Sequence, residues 1–229
     1  MLLLCACGTS KRGNWENKNF ENYLTARNIS FKKQINGDLY DESNQSLYNK
    51  YYRDFMAFEK KLRLEANPYL KINKVYVHYR TPTSVEFVIY SDDERFCLST
   101  FDLDMDGKIL SFPENGIVKV LEPIVVKDFG GFRINENNII ERTYNKSPYK
   151  KWYNYLEGTI TNDTIHFTKK YVGTNMNKYK KRWLSKTRKA NSMIIYQPNL
   201  KAKKYKDEYD FPYFEVTGEF KVDQSPTSF

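Results

Sequence analysis

Three aspartates at alternate positions, followed by a glycine, are the first residues of this chain that suggest chemistry. Asp102, Asp104 and Asp106 precede Gly107, and this pattern is typical of the opening half of a calcium-binding loop, where alternate carboxylates converge on the cation. Pro113 stands where such a loop needs a bidentate glutamate, and the flanking residues favour strands. The alternative interpretation is a hairpin that turns at Asp106-Gly107 and carries the other two aspartates on its exposed side.

The residue types that most often carry catalysis or bind structural metals form no recognisable motif. His78 and His166 each lie in a stretch where apolar and polar residues alternate, and neither belongs to an H-x-x-x-H spacing. The chain has no C-x-x-C pair, no G-x-S-x-G elbow and no glycine-rich phosphate loop. Cys97 lies in a predicted strand and is expected to be a small buried residue rather than a nucleophile. We predict no enzyme activity, metal or cofactor; a hydrolase without a recognisable motif is the alternative.

Positive charge is concentrated in the last third of the chain. The net charge is +9, and the segment 169–206 contains thirteen lysines and arginines but no aspartate or glutamate. From Tyr179 to Lys189 the cations are interleaved with aromatic residues, a pattern typical of surfaces that bind phosphates or anionic lipids. A solvated basic face without a ligand is the alternative. The candidate anion-binding residues are Lys180, Lys181, Arg182, Arg188 and Lys189.

The first eight residues, MLLLCACG, resemble the end of a bacterial lipoprotein signal peptide. Leu4, Ala6, Cys7 and Gly8 match the lipobox of that family, whereas Cys5 departs from the residue types usual at its position. The apolar stretch is shorter than a signal requires and has no basic region before it. We infer that the true translation start lies upstream.

The resemblance implies that Cys7 carries a lipid anchor, a diacylglyceryl group with palmitate, and becomes the mature N-terminus. The protein would then be held at the cell envelope, on the outer membrane, with the periplasmic or surface side left open. Cys97 would have no other protein thiol to pair with, so we expect no internal disulfide. Nucleic acid is not an expected partner.

Length and composition favour one folded domain behind a tether. The chain has 229 residues and a mean hydropathy of -0.73, but its 19 tyrosines and 15 phenylalanines supply a large area for burial. We divide the chain into a residual signal peptide at 1–6, a lipid-anchored tether and lead-in at 7–44, a single β-rich domain with an N-terminal helix at 45–222, and a loose tail at 223–229.

The hydrophobic pattern predicts one helix and then a series of strands. Apolar residues recur at steps of three and four between 47 and 62, and Asn67-Pro68 ends this helix. Beyond it the period changes to two. The predicted strands lie at 75–79, 85–90, around 96–98, at 108–112, at 117–126 with a break at Pro123, at 132–134, 139–142, 193–196 and 213–222. The basic stretch 173–192 is expected to be a helix or a long loop.

The clearest local prediction is a β-hairpin between 149 and 172. Asn162-Asp163 tolerates the left-handed backbone of a two-residue turn, and β-branched and aromatic residues flank it. Phe167 is expected to lie opposite Gly158 and to cover its bare backbone. Counting back from the turn also pairs Thr161 with Thr164, Ile160 with Ile165, and Thr159 with His166.

Short strands joined by turns, with no helical crossovers, predict a mainly β fold: an antiparallel meander forming a lipocalin-like barrel or a two-sheet sandwich, with one N-terminal amphipathic helix. By analogy with such barrels, the leading hypothesis is a non-catalytic envelope lipoprotein that binds an apolar or amphipathic small molecule or a protein partner. A cavity lined by tyrosine and phenylalanine would support it. The alternative is a scaffold that docks on an anionic envelope polymer through the basic segment 169–206.

Overall fold

A computed structural model describes residues 13–32, 42–81, 83–103, 107–173 and 186–222. The chain divides into two compact units, one ending at Arg63 and the other beginning at Leu64. Each unit has a hydrophobic core of its own. Within the ranges just given, no helix combines the length and the apolar composition needed to cross a membrane.

The first unit is formed by helix α1 (Gly13–Ala26) and most of helix α2 (Glu42–Glu65). Helix α2 confirms the predicted helix, and its Phe55 is fully buried. The Phe55 ring lies 5.1 Å from that of Phe20 and 5.7 Å from that of Tyr23, both in α1. Helix α1 differs from the tether expected over 7–44. Its sequence is polar on average, and the few aromatic residues of its buried face gain their stabilisation from contact with α2.

The second unit is an antiparallel sheet of ten strands in the described part of the chain. Their bounds are β1 (Val75–Thr81), β2 (Ser84–Tyr90), β3 (Arg95–Asp102), β4 (Ile117–Asn135), β5 (Asn138–Lys146), β6 (Lys151–Thr161), β7 (Thr164–Gly173), β8 (Arg188–Tyr196), β9 (Leu200–Lys206) and β10 (Pro212–Lys221). The first eight form a ring in the order β3, β2, β1, β8, β7, β6, β5, β4, which closes where β4 pairs with β3. Strands β10 and β9 extend the sheet from the first part of β4. The prediction of a mainly β, antiparallel, barrel-like or sandwich fold is confirmed.

Hydrophobic residues cover both faces of β1, β2 and β3, because each face meets a different core. Alternate residues such as Val77 and Phe87 pack with side chains from β4, β9 and β10. The intervening residues, such as Tyr76 and Val88, join a second core to which all eight strands of the ring contribute. This second core lies inside the ring and fills part of it.

The predicted hairpin is confirmed as β6 and β7, with all four predicted residue pairs in register. Asn162 adopts the left-handed backbone expected of the turn, with φ of 53°. A Cβ atom on Gly158 would lie 2.8 Å from Cδ1 of Phe167, which therefore covers the glycine. The register shifts between Gly158 and Glu157, where a β-bulge interrupts the ladder.

Strand β4 is longer than predicted. The separate strands expected at 117–126 and 132–134 are parts of one 19-residue strand. Pro123 does not end it, because it lies beside the register shift between Val216 and Gly218, where the ladder needs no N–H donor. The strand predicted at 108–112 is wrong: this stretch contributes only an isolated bridge between Leu110 and Val120.

The basic stretch is also organised differently from the expectation. Arg188 to Ser192 belongs to β8, so the prediction of a helix or loop is wrong for these five residues. Positions 174–185, the larger part of that prediction, lie outside the described residues. Strand β9 was not predicted because four of its seven residues are lysines. Lysine is well suited to this position, since β9 is an edge strand that pairs only with β10 among the ten described strands, and exposed charge opposes pairing with other chains.

The junction of β3 and β4 closes the ring over a few residues. Arg95 pairs with Gly131 and Phe96 with Gly130, and the register then shifts before Cys97. A Cβ atom on Gly130 would lie 2.4 Å from the carbonyl oxygen of Arg142 and 2.7 Å from Cε1 of Phe96. A side chain larger than hydrogen therefore does not fit between β3 and β5 at this point.

We expect Gly130→Ala to lower the free energy of unfolding by about 1–3 kcal/mol, because the added methyl group forces apart backbone that closes the ring. Lys127→Ala, at an exposed position of the same strand, should change it by less than about 0.5 kcal/mol. Urea unfolding of the three proteins, followed by tryptophan fluorescence, measures both effects. Equal stabilities for the two variants would contradict the proposed close fit.

Candidate functional site

A pocket of about 590 Å³ opens from the ring on the side of β3, β5, β6 and β7. Its apolar lining residues are Phe96, Leu98, Phe129, Tyr155, Leu156, Tyr171 and Val172. Phe96 is buried, whereas Phe129 is half exposed, and their rings meet edge to face at 5.8 Å. These two rings therefore carry the apolar wall from the packed core out to solvent.

Six polar residues complete the lining. They are Glu141, Thr143, Asn154, Lys170, Lys186 and Arg188. The three cations are exposed, and Glu141 is buried with 9% of its surface accessible. The pocket thus has positive charge at its outer part and a single carboxyl group at its inner part.

Strand pairing explains how these polar residues come together. Glu141 of β5 lies opposite Leu156 of β6, Leu156 lies opposite Lys170 of β7, and Lys170 lies opposite Arg188 of β8. We call these four residues the polar row. Residues directly opposite in neighbouring strands point to the same face, so the row presents one carboxyl group and two cations to the pocket.

β-Bulges decide which lysine faces the pocket. Simple alternation from Ile165 and Phe167 would place Lys169 on the same face and Lys170 on the other. The register shifts on both sides of β7 reverse this order beyond Phe167. Lys169 instead forms an ion pair with Glu157, with Nζ 3.0 Å from Oε1, and Lys170 lines the pocket.

Glu141 is held by a hydrogen bond at the boundary between the pocket and the filled core. The hydroxyl group of Tyr90 donates to its Oε1 atom. Tyr90 is itself fully buried and contacts the ring of Phe132 at 5.0 Å. Burial raises the pKa of Glu141 to about 7, an effect that the Tyr90 hydrogen bond partly opposes. The same burial, together with the neighbouring carboxyl group, raises the pKa of Tyr90 well above its ordinary value.

The pocket cations have no carboxylate partner in the described ranges. Salt bridges there engage other lysines and arginines: Lys204 with Asp92 and Asp93, Lys206 with Asp210, and Arg95 with Asp128. Lys170 and Arg188 are direct cross-strand neighbours of like charge, an arrangement that costs stability unless an anion or solvent screens it.

The residues predicted from sequence as candidate sites are distributed as follows. Arg188 lines the pocket, whereas Lys189, exposed beside it, does not. Asp102 is exposed at the end of β3. The remaining candidates lie outside the described residues: Cys7, Asp104, Asp106, Lys180, Lys181 and Arg182. Sequence analysis missed Glu141 and Lys170, since neither belongs to a motif.

The histidines and the cysteine lie away from the pocket. Nδ1 of His78 is 2.8 Å from Oε2 of Glu86, and this contact is the main cause that lowers the pKa of Glu86. His166 is exposed on β7. The thiol of Cys97 donates to the carbonyl oxygen of Pro212 at 3.3 Å, and burial raises its pKa to about 12, so it is not a reactive thiolate. Within the described part of the chain, no three His, Cys, Asp or Glu residues are grouped so as to hold a metal ion.

No protein-family model matches this sequence, and no curated protein or solved structure matches it either.

We expect the raised pKa of Glu141 to make the protein less stable as the pH rises. The folded state holds this proton up to about pH 7, whereas an unfolded carboxyl group releases it near 4.5. The stabilisation is complete below the unfolded value and is lost as the pH rises towards 7, by roughly 3 kcal/mol in total.

Urea unfolding of the wild type and of Glu141→Gln, at a series of pH values from 4.5 to 8, isolates this contribution. Glutamine keeps an acceptor for Tyr90 but does not titrate, so the difference between the two proteins should change across this range. A difference that is independent of pH would show that Glu141 ionises normally.

Proposed function

We propose that this chain is a non-catalytic binding protein of the cell envelope, and that it holds an amphipathic small molecule with an acidic group in the pocket of the ring. The single observation that carries the proposal is the pocket itself, which combines an aromatic and aliphatic wall with three exposed cations. A protein partner that inserts an apolar segment together with an acidic side chain or terminus is the variant of the same hypothesis.

The size and lining of the pocket support a small organic ligand. Small-molecule sites commonly enclose about 300–1,000 Å³ and combine mostly apolar walls with a few polar groups, and this pocket has a volume of about 590 Å³. Phe96, Leu98 and Leu156 offer an apolar surface to a hydrocarbon chain or ring. Phe129, half exposed at the outer part, is a large apolar side chain that a ligand would cover.

The charge at the outer part of the pocket supports an acidic head group. Lys170 and Arg188 lie on facing positions of β7 and β8, and Lys186 lies two residues before the start of β8. An anion bound between Lys170 and Arg188 would relieve their mutual repulsion and receive charge-assisted hydrogen bonds. A neutral or cationic head group would do neither.

The location is part of the same proposal. The lipobox-like residues Leu4 to Gly8 support a lipid anchor at Cys7 and attachment to the outer membrane. An anchored protein with a pocket for amphipathic acids would hold such molecules near the bilayer that releases or receives them.

Docking on an anionic envelope polymer is the second candidate, favoured by two adjacent pairs of like charge. Lys170 lies opposite Arg188, and Lys169 lies opposite Lys189; Lys169 also pairs with Glu157, so the second pair leaves Lys189 as its available charge. In contrast, the basic residues of β9 have other local roles: Lys204 and Lys206 form ion pairs, and Lys203 lies 5.0 Å from the centre of the Tyr205 ring. Polymer retention that depends on Lys189 as much as on Arg188 would favour this candidate over the pocket.

We expect the full chain to bind saturated fatty acids from octanoate to dodecanoate at one saturable site, with affinity rising roughly fourfold for each methylene group buried. Dodecanol should bind more weakly than dodecanoate, because its head group offers the cations no charge. Isothermal titration calorimetry at constant ionic strength measures both trends. Equal affinity for the acid and the alcohol, or the absence of saturable binding, would contradict the proposal.

The double variant Lys170→Gln/Arg188→Gln should weaken dodecanoate binding about tenfold or more, because it removes two charge-assisted hydrogen bonds. Lys169→Gln/Lys189→Gln is the matched control: it removes the same two charges from the neighbouring cross-strand pair, which does not line the pocket. Its affinity for dodecanoate should stay within about twofold of the wild type. Equal losses in the two variants would mean that general surface charge, rather than the pocket, attracts the acid.

A further inference from the structure

The inner part of the pocket contains a feature that binding of a simple fatty acid does not use. Glu141 is a carboxyl group with only 9% of its surface exposed. It lines the pocket together with Phe96 and with Leu156, its cross-strand neighbour. Placing a carboxyl group in such surroundings is costly unless hydrogen bonds satisfy it. A hydrocarbon chain alone would leave it facing carbon atoms.

The hydrogen bonds of Glu141 leave room for a ligand. Its Oε1 atom accepts from the hydroxyl group of Tyr90, and the described residues supply the carboxyl group with no other donor. Tyr90 lies in the filled core and does not line the pocket, whereas Glu141 does. The bond from Tyr90 therefore holds the carboxyl group on its core side. Above about pH 7, where Glu141 is ionised, Oε2 remains as an acceptor for a donor that enters from the pocket.

The spacing of the polar row separates this acceptor from the cations. Glu141 and Lys170 are two strands apart, with Leu156 between them. Two strand spacings correspond to about 10 Å. No ion pair joins Glu141 to Lys170 or Arg188 among the described contacts. The pocket thus offers two separate polar contacts, a basic one near solvent and an acceptor further in, across an apolar surface.

We propose that Glu141 is a specificity-determining residue, and that the preferred ligand is an amphipathic acid which also carries a hydroxyl group on its apolar part. The acid group would lie against Lys170 and Arg188, and the hydroxyl group would donate to Glu141. This inference rests on the proposed function and adds the chemical class of ligand. A hydroxyl group suits the site better than an ammonium group, because burial of a second charge carries a further desolvation cost.

The test compares two ligands that differ only in the hydroxyl group, dodecanoate and ω-hydroxydodecanoate, together with the shorter ω-hydroxy acids down to octanoate. In a purely apolar pocket the terminal hydroxyl group weakens binding, since it is buried without a partner. In the wild type we expect the opposite: the best-fitting ω-hydroxy acid should bind about tenfold more tightly than its unsubstituted partner. Calorimetry on the full chain at about pH 8, where Glu141 is ionised, provides the ratio.

The double variant Tyr90→Phe/Glu141→Leu removes the acceptor without leaving the buried tyrosine hydroxyl group unpaired, and so avoids the cost of an orphaned donor. We expect this variant to bind the unsubstituted acid at least as tightly as the wild type does. It should bind the hydroxy acid about tenfold more weakly than the unsubstituted acid. Thr143→Val is the matched control, because Thr143 also lines the pocket on β5, opposite Asn154. Thr143→Val should keep the wild type's preference for the hydroxy acid over the unsubstituted acid. Thermal unfolding confirms that each variant is folded before titration.

A wild type that prefers the unsubstituted acids at every length, or a preference unchanged in Tyr90→Phe/Glu141→Leu, would overturn this inference. The proposed function would still stand if the plain acids bind in a manner that depends on Lys170 and Arg188. Absence of binding by either kind of acid would instead overturn the proposed function, and this inference with it.

Discussion

The closure of the ring between β3 and β4 is the constraint on which the rest of the second unit depends. It is short, extending from Arg95 to Cys97 on β3. It brings the carbonyl oxygen of Arg142 on β5 and the ring of Phe96 on β3 closer to Gly130 than a side chain there would allow. The guanidinium group of Arg95 crosses it to the carboxylate of Asp128, with Nε donating to Oδ1 at 2.8 Å. Because Phe96 lies at this junction and also lines the pocket, closure and the shape of the pocket are linked.

The ring is filled in one part and open in another, and the boundary is chemical as well as steric. Large side chains from all eight ring strands fill the core, where Tyr90 packs against Phe132. Beyond the hydrogen bond from Tyr90 to Glu141 the inward-facing residues become polar or small enough to leave space, as at Thr143 and Asn154. A buried carboxyl group held by one tyrosine is a weak contributor to stability, because its desolvation cost offsets the bond. Its position at the pocket is the feature that the proposed recognition of a ligand would use.

The excess of positive charge has different physical roles in different parts of the chain. On β9 it lies along the exposed edge of the sheet, where lysine opposes intermolecular pairing, and Lys204 and Lys206 are neutralised by aspartates. On β7, Lys169 is neutralised by Glu157. Lys170 and Arg188 differ, because they lie opposite each other at the pocket. The net charge of the chain therefore says less about its partners than the register of two strands does.

Sequence alone was sufficient where the determining interactions are local. The alternation of apolar residues identified most strands, and the Asn162-Asp163 turn gave the register of β6 and β7, because a tight turn sets which residues face each other. The spacing of Leu47, Tyr51 and Phe55 predicted helix α2, because residues four apart lie on the same face of a helix. Local patterns failed for helix α1 and strand β9, since α1 depends on its contact with Phe55 and β9 on pairing with β10.

The candidate site was decided by tertiary structure. The four residues of the polar row come from four strands, and they meet only because bulges on both sides of β7 shift the register after Phe167. Each bulge exchanges the inward and outward faces of the strand beyond it. No residue type at these positions predicts a bulge. The sequence determined that the strands would be amphipathic and the segment basic; the pairing of non-adjacent strands determined which charges face the pocket.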